Sequence, residues 1–121
     1  MFLNGLMVFI GGGMGSAIRY LISVFFLKNS SNQVFPWHTF FANLVACLVF
    51  TLAILIFKQK INQSYGLMIT TGFCGGLSTM STFSFEVMRL LANHNYFMAF
   101  SYILLSLIFC FASFALIYKS L

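Results

Sequence analysis

The run GGLSTMSTFSFE, Gly75 to Glu86, collects five hydroxyls and the only carboxylate of a chain that is 61% hydrophobic and 6% charged. On a helix, Ser78, Ser81 and Thr82 fall at i, i+3 and i+4. Thr79, Phe83 and Glu86 fall on a neighbouring stripe at i, i+4 and i+7, and Met80 stands one turn before Phe83. Isolated hydroxyls in membrane helices bond back to their own backbone. Ser78, Thr79, Ser81, Thr82 and Ser84 beside a carboxylate exceed what packing requires, so the ribbon is read as functional.

Two further polar groups sit in apolar surroundings. Thr39 and Asn43 are four residues apart and share a helix face, followed along it by Ala46 and Cys47. An amide in hydrocarbon needs partners, and Asn43 is either interhelical glue or a donor facing a permeating anion, since its side chain offers two N–H groups and one acceptor. Arg19 must snorkel to an interface, pair with a carbonyl or with Glu86, or line a vestibule, because an unpaired charge in a bilayer costs at least a few kcal/mol. His38 is read as an ordinary interfacial residue.

The elements that position these groups follow from composition. A small soluble domain leaves much of its surface facing water, so 121 residues with a mean hydropathy of +1.01 require lipid as solvent. At roughly 20 apolar residues per crossing, the chain is expected to be an all-α integral membrane protein, one four-helix domain over 1–121. Its spans are expected at about 2–27, 39–57, 65–91 and 96–118. Gly72, Gly75 and Gly76 should weaken the third span near the midplane, since glycine is a poor helix former. A helix broken there offers carbonyls from one half and N–H groups from the other to an ion; a tight crossing of two third spans is the other reading. Gly11, Gly15 and Ala17 in GGGMGSAIRY supply small residues for close helix approach.

The linkers KNSSNQVFPW, KQKINQS and NHN are short and polar, and the first span lacks the basic start of a cleaved signal peptide. Apart from Arg19, the first and third connections carry Lys28 and Arg89, and the other side Lys58, Lys60 and Lys119. Orientation follows the excess of Lys and Arg on cytoplasmic loops, and two against three is a weak bias. The chain either inserts both ways and pairs with its inverted copy, or is held in one orientation by Lys58 and Lys60. The basic residues are dispersed, which excludes a nucleic-acid surface. Cys47, Cys74 and Cys110 have neither disulfide nor metal-ligand spacing and are read as packing residues. No nucleophile has a base at suitable spacing and no phosphate loop is present, so the chain is not read as an enzyme.

Taken together, GGGMGSAIRY, PWHTFFAN and GFCGGLSTMSTFSFE resemble the signature segments of the Fluc/CrcB family of small fluoride channels. Pro36, Thr39 and Asn43 match the second segment, where His38 replaces a glycine. In the third segment Met80 stands where the family pattern has the first of two phenylalanines. The resemblance implies an antiparallel, dual-topology homodimer in the plasma (inner) membrane that exports fluoride passively and relieves its toxicity. It implies a pathway of Asn43, Met80, Phe83, Ser81, Thr82, Thr39, Ser84 and Glu86 lined by both subunits, with Arg19 at a vestibule or as an anchor. It also implies a structural sodium ion at the dimer centre, held by backbone carbonyls of Gly75 and Gly76, with Ser78.

A fluoride pore must replace the ion's water with donors while avoiding a trap. Asn43 N–H, the Ser and Thr hydroxyls and the electropositive ring edge of Phe83 are suited to this, and Met80 offers a poorer version of the ring edge. Glu86 is either protonated and donating, or an anchor for the hydroxyl ribbon. The principal rival is a small proton-coupled exporter of organic cations with Glu86 at its centre; a non-transporting assembly subunit is the third.

Overall fold

The computed structural model of the chain describes residues 1–29 and 35–118; Lys119 and the linker residues 30–34 lie outside the described residues. Every regular element among the described residues is helical. α1 spans Phe2–Asn29 and α2 spans Trp37–Phe57, with Pro36 as its N-cap, where the missing N–H of proline costs no helical bond. A short 3₁₀ turn at Lys58–Lys60 follows. α3, residues 64–77, begins as an α-helix at Ser64–Leu67, widens to a π-helix over Met68–Cys74 and tightens again at Gly75–Leu77. α4 spans Met80–Ala92 and α5 spans Tyr96–Tyr118.

Three helices, α1, α2 and α5, are long and apolar enough to cross a membrane. Much of their surface is exposed hydrophobic side chain, including Phe9, Leu21, Phe25, Ile56, Phe97, Phe111 and Leu116. Exposed apolar patches of this extent are not tolerated by soluble monomers. The chain is therefore an integral, multi-pass membrane protein, its outer surface solvated by lipid.

Between α3 and α4 the backbone leaves the helical region for two residues. Ser78 has φ −82° and ψ 153°, and Thr79 has φ −153° and ψ 122°. The sequence pattern had assigned both to helix stripes; they form an extended step instead. The glycines nearby are not the interruption. Gly72 lies within the π-helical stretch, Gly75 and Gly76 are helical, and no described glycine has positive φ. Their role is contact with α1, which packs along α3 for much of its length. A Cβ on Gly72 would meet the Val8 carbonyl oxygen at 2.7 Å, and one on Gly15 the Leu77 nitrogen at 2.8 Å. Only hydrogen fits at these crossings, in keeping with the small-residue rule of membrane helices.

The second packing layer joins α2, α4 and α5. α4 is sharply two-faced: Val87 and Leu90 are buried with Phe40, Ala99 and Tyr102, with Phe83 packed against the cluster. Phe83, Glu86, Val87 and Leu90 repeat at i, i+3, i+4 and i+7, the inward stripe of an amphipathic helix. The opposite stripe, Ser81, Ser84, Phe85 and Met88, is exposed on the single chain. Ala42, Ala46, Cys74 and Leu77 form a smaller cluster where α2 meets α3.

Candidate functional site

The extended step at Ser78–Thr79 is where the polar groups converge. Leaving the helix frees the Thr79 N–H, which donates to Asn43 Oδ1 at 2.9 Å. The Thr79 side chain caps α4, its Oγ1 accepting from the Thr82 N–H at 3.4 Å, the ordinary N-cap arrangement. Ser78 turns back, with N–H and Oγ both donating to the Cys74 carbonyl at 2.9 and 2.7 Å. Asn43 thus spends its acceptor on the backbone, and its N–H donors remain for another partner. α4 contributes too, because its first N–H groups have no intrahelical acceptor and carry the positive end of the helix dipole.

Two cavities meet at Thr79, which lines both. One, of about 250 Å³, is polar and is lined by Ser16, Arg19, Tyr20, Ser23, His38, Thr39, Thr79 and Thr82. In it Arg19 is held by its Nε donating to the Gly76 carbonyl at 3.1 Å, so the guanidinium both pairs with a carbonyl and faces open space. The other, of about 240 Å³, is more apolar and is bordered by Asn43, Ser78, Met80, Phe83 and Ser106. Its Ser106 hydroxyl is buried without a hydrogen-bond partner. Phe83 is fixed by its ring lying 4.8 Å from that of Tyr102, whereas Met80 is 73% exposed.

Glu86 is buried and lines neither cavity. Thr39 Oγ1 donates to its Oε1 at 2.7 Å and the Tyr102 hydroxyl to its Oε2 at 2.9 Å. His38 Nε2 lies 3.2 Å from Oε1. Glu86 bonds to none of the ribbon hydroxyls that it was expected to anchor; as an acceptor for Thr39 and Tyr102 it ties α2, α4 and α5 together instead. A carboxylate so enclosed is poorly placed to trade protons for a cationic substrate, which weighs against the exporter reading.

Of the residues singled out by the sequence, Asn43, Ser78, Met80 and Phe83 gather at one cavity, and Arg19, Thr39 and Thr82 at the other. Ser81 and Ser84 join neither and face outward; Ser81 Oγ lies 3.1 Å from Thr79 Oγ1. Sequence reasoning missed His38, Tyr102 and Ser106. The signal for the last two was present, because Tyr102, Ser106 and Cys110 recur every four residues along the final helix.

A lipid-solvated helical chain with a cavity bearing Arg19, an amide whose N–H donors are free and a helix N-terminus meeting at an extended backbone step defines a small membrane protein built to handle an ion. The comparisons narrow the class. The family described as "CrcB-like protein, Camphor Resistance (CrcB)" matches over residues 6–118, and the chain belongs to it. Among its relatives, a protein of Gloeothece citriformis is 39% identical over 109 residues, covering 89% of this chain and 88% of that protein. One from Serratia proteamaculans is 45% identical over 104 residues, 84% and 80% of the two chains. One from Escherichia coli O139:H28 is 41% identical over 113 residues, 92% and 87%. Each is named a fluoride-specific ion channel, FluC.

Proposed function

We propose that this chain is a fluoride-specific ion channel of the plasma membrane, which lets fluoride leave the cell passively; it is a channel and not an enzyme. The observation that carries the reading at this site is the Thr79–Asn43 bond. It leaves the Asn43 N–H donors free in the cavity bearing the Phe83 ring, which Thr79 joins to the cavity bearing Arg19. A small, strongly hydrated anion needs donors that replace its water without a full counter-charge in the narrow part. Amide N–H, hydroxyl O–H and aromatic edge C–H provide this gradation, and Arg19 in the vestibule raises local anion concentration. Ser106, with its unpartnered hydroxyl, joins Asn43 and Phe83 as a coordinating group.

In this account α3 and α4 form one crossing, the third of four, interrupted near the midplane at Ser78–Thr79. The functional unit is an antiparallel homodimer with two pathways. The near balance of basic residues between the two sides supports it, as does the outward stripe of Ser81 and Ser84, whose hydroxyls would otherwise face hydrocarbon. Gly75 is also exposed, and a Cβ there would meet nothing within 4 Å, so its face is free to receive a second copy.

A structural sodium ion at the dimer centre fits part of the expected ligand set. The Thr79 N–H that would have bonded the Gly75 carbonyl in a continued helix goes to Asn43 instead, leaving Gly75 an acceptor to offer. Oxygen ligands of this kind suit a hard cation, and Gly75 with Ser78 would hold it. Gly76 fits less well, because its carbonyl already accepts from the Arg19 guanidinium. The ion would supply a positive charge that ties the two copies together.

Expression of the chain in a bacterium lacking its own fluoride exporter tests the function in cells. Growth in fluoride-containing medium is the expected outcome. Continued fluoride sensitivity, with the protein present in the membrane, would count against it.

A further inference from the structure

Two hydroxyls donate to Glu86, and the His38 imidazole is its third polar neighbour. Thr39 and Tyr102 donate as neutral hydroxyls at 2.7 and 2.9 Å, whereas the imidazole 3.2 Å from Oε1 can carry a charge. Histidine is the side chain that ordinarily changes charge between about pH 5 and 8. His38 also lines the polar cavity together with Arg19, so its charge is felt both by the buried carboxylate and by whatever occupies that cavity. With 22% of its side chain exposed against 9% for Glu86, it has a route to protons that the carboxylate lacks.

The other titratable groups around it are few. α1 brings Arg19 and Tyr20 to the cavity, α4 brings Glu86, and α5 brings Tyr102 through the shared carboxylate; α3 contributes none to the lining. His38, Arg19 and Glu86 form one cluster of chargeable side chains. With His38 protonated, the same cluster gains one positive unit, and the imidazolium holds the carboxylate more strongly as a charge-assisted pair. A cavity of one sign concentrates counter-ions and speeds their capture.

We infer that His38 is a positioning residue that sets how readily the Arg19 cavity takes up an anion according to its own protonation, making fluoride entry proton-linked. The inference rests on the channel reading.

The test is fluoride current through the purified protein in planar bilayers, at constant fluoride, with both sides brought from pH 8 to pH 6. The expected parent current rises about tenfold on acidification, the low end of electrostatic capture effects. His38→Gln keeps an N–H donor for Glu86, so it should conduct at pH 8 yet lose the rise; His38→Ala should lose the rise as well. The chain has 2 histidines, and His94→Gln should behave as the parent, which excludes the other imidazole. A parent current flat with pH, a rise retained in His38→Gln, or a rise abolished by His94→Gln would overturn the inference and leave the channel reading standing. No fluoride current from the parent at either pH would bring down both.

Discussion

Replacing Asn43 by aspartate separates the donor role of the side chain from its structural role. The Oδ1 that accepts the Thr79 N–H at 2.9 Å is kept, so the extended step and the N-cap of α4 should persist and the protein should assemble. What changes is the other half of the group, where two N–H donors become a negatively charged oxygen. Two like charges about 4 Å apart repel by about 4 kcal/mol at an effective dielectric of about 20. At about 1.4 kcal/mol per factor of ten, fluoride flux should fall by between two and three orders of magnitude. Asn43→Leu is the complementary variant: it leaves the Thr79 N–H without its acceptor, at a cost of about 1–3 kcal/mol in stability. The assay is initial fluoride efflux from liposomes at matched protein density, with size-exclusion chromatography to establish assembly. An Asn43→Asp protein that assembles and conducts within tenfold of the parent would refute the donor role.

Phe83→Ile should lower fluoride efflux steeply, Met80→Phe should conduct, and Met80→Ile should be intermediate. Phe83 is a rigid ring edge held on Tyr102, whereas Met80 is exposed and adaptable; initial efflux rates rank the three. Gly72→Leu should cost at least about 1–3 kcal/mol by overpacking, because its Cβ would strike the Val8 carbonyl oxygen at 2.7 Å; Gly5→Ala, with nothing within 4 Å, is the silent control in a thermal melt in detergent. Gly75→Leu has equal room within one chain, so it should leave the chain folded but dissociate the dimer in cross-linking, and an undisturbed dimer would count against that face as the interface. Reporters fused to the C-terminus should signal from both sides of the membrane, and two or three lysines added to one side should force a single orientation.

Lipid solvation, helix content and the crowding of polar groups around Asn43 and Ser78 to Phe83 were legible in the sequence, because hydropathy and the scarcity of charge leave few alternatives. The location of the chain interruption was not. Glycines weaken helices in isolation, but against α1 they serve as contact points and stay helical, while the chain leaves the helix after Ser78, whose N–H still bonds Cys74, because Asn43 takes the Thr79 N–H and the Thr79 side chain caps α4. That is a tertiary effect no local propensity contains. The surroundings of Glu86 were hidden for a related reason: its donors come from positions 39 and 102, on two other helices, and His38 by itself looks like any residue at a water boundary. Ser106 could have been found from its spacing with Tyr102. That its hydroxyl lacks a partner could not.

Purified, the chain should conduct fluoride and discriminate against other anions. Liposomes loaded with fluoride and containing the protein, with a potassium carrier to dissipate the voltage, test it directly. Rapid release of fluoride to an external electrode is expected, with no comparable release of chloride from chloride-loaded liposomes. Retention of fluoride at the level of protein-free liposomes, or chloride release as fast as that of fluoride, would contradict it.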